Sequence, residues 1–181
     1  MSPLISYRVM GKIRVIGTKS IYSGGISLRR DRFLLAGRII EKEIVEHPDS
    51  VGIVPVIGSD VILVTQYRHA AAKALLEIPA GKIEKGEIPR QAAAREMEEE
   101  IGYRGKLVPL SKWYLAPGYS TELMHVFVAT GLKKVARGPL DDDENIKITQ
   151  VELRIAIEKC LNGEIQDSKT VSALFAYSQS D

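Results

Sequence analysis

Glu96, Glu99 and Glu100 stand at positions i, i+3 and i+4 of the segment REMEEEIGY, so a helix there crowds three carboxylates onto one face. Like charges at that spacing repel by roughly 0.2–0.5 kcal/mol per pair. A chain that folds with such a face needs positive charge beside it. Carboxylate oxygens are hard ligands and suit Mg²⁺ or Mn²⁺ better than zinc, which prefers His and Cys. No softer set competes: the three histidines, His47, His69 and His125, are far apart in sequence, and Cys160 is the sole cysteine. The plain alternative is a solvated acidic face, the usual meaning of a charge run on a helix.

The same helix accounts for its own packing. Ala93, Ala94, Met97 and Ile101 form an apolar arc adjoining the carboxylates, with Arg95 and Glu98 on the remaining sides. Pro89 suits a first helical turn and Gly102 suits the left-handed position just past the last, so the helix is expected over about Pro89–Ile101. Ile88, at the N-cap position, brings no polar side chain.

A chain of 181 residues, 45% hydrophobic, is one ordinary domain with room for a small appendage. Its net charge of +2 creates no global field toward nucleic acid, although Arg29, Arg30, Arg32 and Arg38 make the N-terminal part locally positive, facing either phosphates or water. No apolar run approaches the ~18 residues that cross a bilayer, and the first residues lack a signal-peptide pattern. The expectation is a soluble cytoplasmic protein with neither nucleic-acid nor membrane partners. Cys160, inside LRIAIEKCL, reads as a small buried apolar residue.

Along the chain, KIRVIGTKS, ISLRRDRFLLAG and RIIEKEIVEHP have strand character, broken at Gly24-Gly25, Gly37 and Pro48. VGIVPVIG and DVILVTQYR are short apolar strands joined by Gly58-Ser59-Asp60 as a hairpin, and LLEIPAG leads into the acidic helix. WYLAPG and HVFVATGL read as further strands. The run Asp141–Glu144 is loop by composition, and VELRIAIEKCLNG and DSKTVSALFAYS have helical periodicity, the second with Asp167 as N-cap. The expected division is a β-strand subdomain over residues 1–48 and a larger domain over 49–181, because the first fifty residues hold too few apolar side chains for a core of their own.

The stretch from Gly81 to Tyr103, GKIEKGEIPRQAAAREMEEEIGY, is similar to the Nudix box of the Nudix hydrolases. Gly81, Glu87, Arg95, Glu96, Met97, Glu99, Glu100, Gly102 and Tyr103 meet its positions, Tyr103 being bulkier than the usual aliphatic residue. QYRHA, LLEIPAGKIEKGE, APGYSTE and GEIQDSKTVSALFAY further resemble the ADP-ribose pyrophosphatase branch, in which a proline such as Pro117, fifteen residues after Gly102, is the marker for ADP-ribose hydrolysis.

This resemblance implies an α/β/α sandwich around a mixed β-sheet with an N-terminal antiparallel β-strand subdomain, and a homodimer that exchanges those strands. It implies Mg²⁺, with Mn²⁺ as the alternative, on Glu96, Glu99, Glu100 and the backbone carbonyl of Ala80. It implies hydrolysis of ADP-ribose to AMP and ribose 5-phosphate, with catalytic roles for Glu99 and Glu144, Asp142 standing second to Glu144 as general base. Arg95 orients the glutamates, or is a plain i,i+4 surface partner of Glu99. Arg68 is the candidate phosphate clamp, since a guanidinium engages phosphate bidentately, and Glu77, Pro117 and Glu122 match substrate-binding positions. Another nucleoside diphosphate derivative as substrate, such as a nucleotide sugar or a dinucleotide, and a non-catalytic ligand-sensing module remain the alternatives.

Overall fold

The computed structural model describes residues 14–138 and 146–180. The chain divides into two compact units, one built of residues up to His47 together with Ala116–Glu122, the other of Pro48–Leu115 and Leu123–Asp181.

The first unit is an antiparallel sheet of β1 (Arg14–Ser23), β2 (Ser27–Leu35) and β3 (Arg38–Glu46), in that order. Leu35 pairs with Arg38 around a two-residue loop in which Ala36 and Gly37 both take positive φ, 49° and 78°. That loop geometry matches the twist of the flanking strands. The segment 116–122 joins the end of β3, the Val45 N–H donating to the Tyr119 carbonyl at 2.7 Å and the Thr121 N–H to the Val45 carbonyl at 3.0 Å. Asp31, 3% exposed, accepts from the Thr18 hydroxyl at 2.8 Å and from Arg29 Nε at 3.0 Å.

The second unit carries a mixed seven-stranded sheet. Its strands are β4 (Ser50–Ile57), β5 (Asp60–Arg68), β6 (Lys73–Glu77), β7 (Ala80–Lys82), β8 (Tyr103–Tyr114), β9 (Leu123–Lys134) and β10 (Lys147–Glu152). The main path runs β10-β5-β4-β9-β8, with β6 paired to β5 and β7 to β4. β4 and β9 are parallel, Ser50 opposite Met124 through Pro55 opposite Ala129, and the other pairs are antiparallel. Among the described residues three α-helices complete it: α1 (Pro89–Ile101), α2 (Leu153–Leu161) and α3 (Ser168–Ser178).

The near-continuous apolar runs of β4 and β5 follow from burial on both faces. Val51, Ile53, Ile62 and Val64 pack with Ala92, Ala93, Met97 and Ile101 of α1. The alternate residues Val54, Val61 and Leu63 pack with Ala156 of α2 and with Ile165, Ala173 and Leu174 in and before α3. The result is an α/β/α sandwich, as the resemblance implied.

Two strands differ from the sequence reading. β8 begins at Tyr103, far upstream of WYLAPG, because Gly105 and Pro109 interrupt its apolar pattern. It lies at the end of the sheet path, and an edge tolerates proline there, with the register shifting between Pro109 and Ser111. Residues 147–152, whose last part reads as helix, form β10 at the opposite end, and α2 starts only at Leu153. Alternating exposure along KITQVE fits a strand with one wet face.

Met97 is 1% exposed at the centre of the α1 core. Met97→Ala is expected to destabilise the protein by about 2–5 kcal/mol through lost burial and a residual cavity. Chemical denaturation of the two proteins measures it.

Candidate active site

Helix α1 and the loop before it set the site. The helix runs from Pro89 to Ile101, and Gly102 closes it at φ 68°, ψ 41°, its N–H donating to the Glu98 carbonyl at 3.1 Å. The Ile88 N–H finds its acceptor in the Gln91 side chain at 3.1 Å, which takes up half the work of the missing polar cap. The buried arc is Ala92, Ala93, Met97, Glu100 and Ile101, so it lies closer to the carboxylates than expected and takes Glu100 inside.

Arg95 organises the arc. Its Nε and Nη2 hold Glu87 at 3.0 and 3.1 Å, its Nη1 reaches Glu96 at 2.8 Å and Glu99 at 2.9 Å, and Nη2 also donates to the Lys82 carbonyl at 3.0 Å. The plain surface pair with Glu99 is thus one contact of five. Hydrogen bonding to Glu87, then the charge of Glu96, raises the already high pKa of Arg95 further, although burial opposes it. The same bond from Arg95 holds the Glu87 carboxyl below its ordinary range.

Gly81 gives Glu96 its place. A Cβ on residue 81 would stand 1.9 Å from Glu96 Oε1, so only a glycine lets that carboxylate lie against the strand. Glu100, 2% exposed, accepts from the Ala80 N–H at 3.0 Å. Among the described residues no three acidic, His or Cys side chains converge as a ready cation cage. The donor chemistry nevertheless fits a hard divalent ion: the carboxylates of Glu96, Glu99 and Glu100 lie on the C-terminal half of α1, and the Ala80 backbone of β7 stands beside Glu100. Glu99 also borders a cavity of about 360 Å³ lined with Arg95, Glu98, Ala136 and Gly138.

Arg68 and Glu77 are brought together. Arg68, at the end of β5, grips Glu77 through Nε at 2.8 Å and Nη2 at 2.6 Å. Glu77 is 1% exposed and also meets Lys169 of α3, which reaches Asp167 at 2.9 Å. Burial pushes the Glu77 pKa up, but Arg68 and Lys169 more than offset this and leave it below the ordinary value. Asp167 caps α3, accepting from the Thr170 N–H at 2.9 Å. The sequence reading placed Asp167 as a cap and did not single out Lys169.

Pro117 and Glu122 belong to the other unit. Pro117 is exposed in a turn closed by the Ser120 N–H on the Ala116 carbonyl at 2.8 Å, and Glu122 stands 3.7 Å from His47 Nδ1. Glu144 and Asp142 lie outside the described residues.

Glu77→Gln leaves Arg68 and Lys169 without their shared carboxylate and is expected to cost ~3 kcal/mol, the low end for breaking a buried pair because Arg68 is partly solvated. Because the folded carboxyl titrates below its ordinary 4.5, its contribution is present above that value and lost as pH falls through the folded pKa. Unfolding free energies of the two proteins should therefore converge on acidification from neutral pH.

The family model described as NUDIX domain matches residues 46–172. The chain is 39% identical over 173 residues to the methanol dehydrogenase activator of Bacillus methanolicus, covering 91% of this chain and 94% of that one. It is 36% identical over 166 residues to the ADP-ribose pyrophosphatase of Bacillus subtilis (strain 168), covering 89% and 90%. A crystal structure of an ADP compounds hydrolase shares the fold with a TM-score of 0.84 over 94% of each chain, at 24% identity. With the family matched over most of its length and the box residues gathered around Arg95, this chain belongs to the NUDIX domain family.

Proposed function

We propose that this protein hydrolyses the phosphoanhydride of ADP-ribose, releasing AMP and ribose 5-phosphate, with Mg²⁺ or Mn²⁺ as its cation. The observation that carries this reading is the Arg95 brace, which holds Glu96 and Glu99 on one face of α1 beside buried Glu100. Relatives named ADP-ribose pyrophosphatase in Bacillus subtilis (strain 168) and Mycobacterium tuberculosis support the substrate, at 36% and 35% identity.

ADP-ribose carries about two negative charges, which repel an attacking hydroxide, while neutral water is a poor nucleophile. Glu96, Glu99, Glu100 and the Ala80 carbonyl would hold a divalent cation, which would supply positive charge against the phosphate oxygens and lower the pKa of a nearby water. The chain's own residues do the rest. Arg95 fixes the glutamates so that no reorganisation is needed when substrate arrives. Arg68 presents a guanidinium, 39% exposed, to phosphate oxygens. Glu144, on the resemblance alone, takes the proton from water as the oxygen adds to phosphorus and the bridging P–O bond breaks. Pro117 and Glu122 match substrate-binding positions on the resemblance alone.

Residues 1–48 serve as the dimerisation subdomain in this reading, and residues 49–181 as the catalytic domain. Val15, Ile16, Ile21, Leu34 and Ile39 are exposed on the N-terminal strands of a single chain, and Ile26 in the bend between β1 and β2, which favours their burial against a second copy by strand exchange. No helix among the described residues is long and apolar enough to cross a membrane. A second reading follows from the relative in Bacillus methanolicus, whose name describes activation of methanol dehydrogenase. In that case the same hydrolysis, or binding without it, would act on a dehydrogenase.

Incubation with ADP-ribose, with and without Mg²⁺, is expected to release AMP only with metal and not from Glu100→Gln. Cleavage of a different nucleoside diphosphate derivative in place of ADP-ribose would keep the chemistry and replace the substrate, and silence across the panel would favour the binding module. Arg95→Ala should lose ~10²-fold or more in kcat while its unfolding free energy falls far less than that loss implies. Glu144→Gln should lower kcat with KM nearly unchanged, as for a group needed only in the transition state. An unchanged kcat moves the role to a neighbour.

A further inference from the structure

Arg68 belongs to a second charged cluster, whose other members the hydrolytic chemistry leaves without a role. Arg68 and Lys169 converge on Glu77, Lys169 continues to Asp167, and the chain between β6 and β7 ties this cluster to the site. The Ile78 N–H donates to Thr170 Oγ1 at 2.8 Å, whose hydroxyl donates to Asp167 at 2.6 Å. The Pro79 carbonyl accepts from the Ile53 N–H at 2.9 Å, and the Ala80 N–H reaches Glu100 at 3.0 Å. Four successive residues are thus pinned between the first turn of α3 and the box helix.

Exposure within the cluster is uneven. The side chains of Glu77 and Lys169 are 1% and 11% exposed, whereas that of Arg68 is 39% exposed. Arg68 is therefore the end of the network that meets solvent. Glu77 acts on it first, and Asp167 and Glu100 are near enough to add to the negative field around it. Without a second cation, Arg68 would face these carboxylates alone in a poorly screened environment and its charge would be spent inward.

We infer that Lys169, held by Asp167 at the start of α3, is a positioning residue that shares the charge of Glu77 and so leaves the Arg68 guanidinium positive toward the diphosphate of a nucleoside diphosphate substrate. The inference rests on Arg68 as the phosphate contact. Lys169 touches no substrate in this arrangement. It acts through Glu77, and its effect falls on binding, not on the bond-breaking step.

A double-mutant cycle reads this directly. Binding of ADP-ribose in chelator is measured by calorimetry for the unsubstituted protein, Lys169→Met, Arg68→Met and the double variant, with thermal unfolding of each as the check on folding. Lys169→Met is expected to weaken binding about tenfold in the presence of Arg68 and less than about twofold in its absence, a coupling typical of residues in one charged network. Lys169→Arg should restore most of the affinity. Equal losses from Lys169→Met in both backgrounds, or a lower melting temperature with unaltered affinity, would overturn the inference, as would absence of ADP-ribose binding by the unsubstituted protein. Coupling without cleavage overturns the hydrolytic reading and keeps the inference, and cleavage without coupling does the reverse.

Discussion

Arg95 is the interaction on which the site depends. One guanidinium joins the carbonyl of Lys82 at the end of β7, the loop carboxylate of Glu87 and the helix carboxylates of Glu96 and Glu99. Helical geometry alone would crowd those glutamates without specifying where their oxygens point, because a glutamate side chain has several rotamers of similar energy. Arg95 narrows that choice with a planar fork that matches carboxylate geometry. Lysine could supply the charge but not the simultaneous reach to both loop and helix. The loop in turn owes its course to the same contacts, and Glu87 also accepts from the Glu84 N–H at 2.9 Å. A local motif therefore behaves as one rigid object.

That object needs an anchor, which the core provides. Met97 and Ile101 fix α1 on one face of β4 and β5, while α2 and α3 cover the other, so both central strands are held from two sides. From Glu77 to Ala80 the Glu77 carboxylate is held by Arg68 and Lys169, and the backbone groups of Ile78, Pro79 and Ala80 are met in turn by Thr170, Ile53 and Glu100. A buried unsatisfied polar group costs ~1–3 kcal/mol, so this sequence of partners holds the stretch in a narrow set of conformations. Glu100, 2% exposed, is placed by the core as much as by the helix that bears it.

The sequence made legible those parts whose cause is local. Pro89 and Gly102 bound α1 through backbone conformation, the i, i+3, i+4 spacing aligns the glutamates, and Asp167 caps α3. What escaped it depends on partners distant in the chain. β8 carries Gly105 and Pro109, which break a strand pattern, yet its pairing with β9 supplies the ladder that its own residues do not announce. β10 is short and adjoins helical periodicity, and only its pairing with β5 makes it a strand. The necessity of Gly81 is likewise invisible without Glu96 folded against it. Lys169 lies 92 residues from Glu77, and no spacing rule connects a helix lysine with a carboxylate at a strand end.

The two charged networks differ in balance, and the difference explains why they serve different ends. Around α1, Arg95 is shared among three carboxylates, two of them met through a single nitrogen, so that network carries more negative than positive charge. Beside β6 and α3, two cations meet two carboxylates. A balanced network has no excess negative charge to relieve with a further cation, and its exposed end, Arg68, is left to meet an anion. An unbalanced one lowers its own free energy by recruiting a cation, and its self-repulsion is the reason it would do so. The two networks are joined through the Glu77–Ala80 backbone, so a neutral framework helps to place an acidic centre.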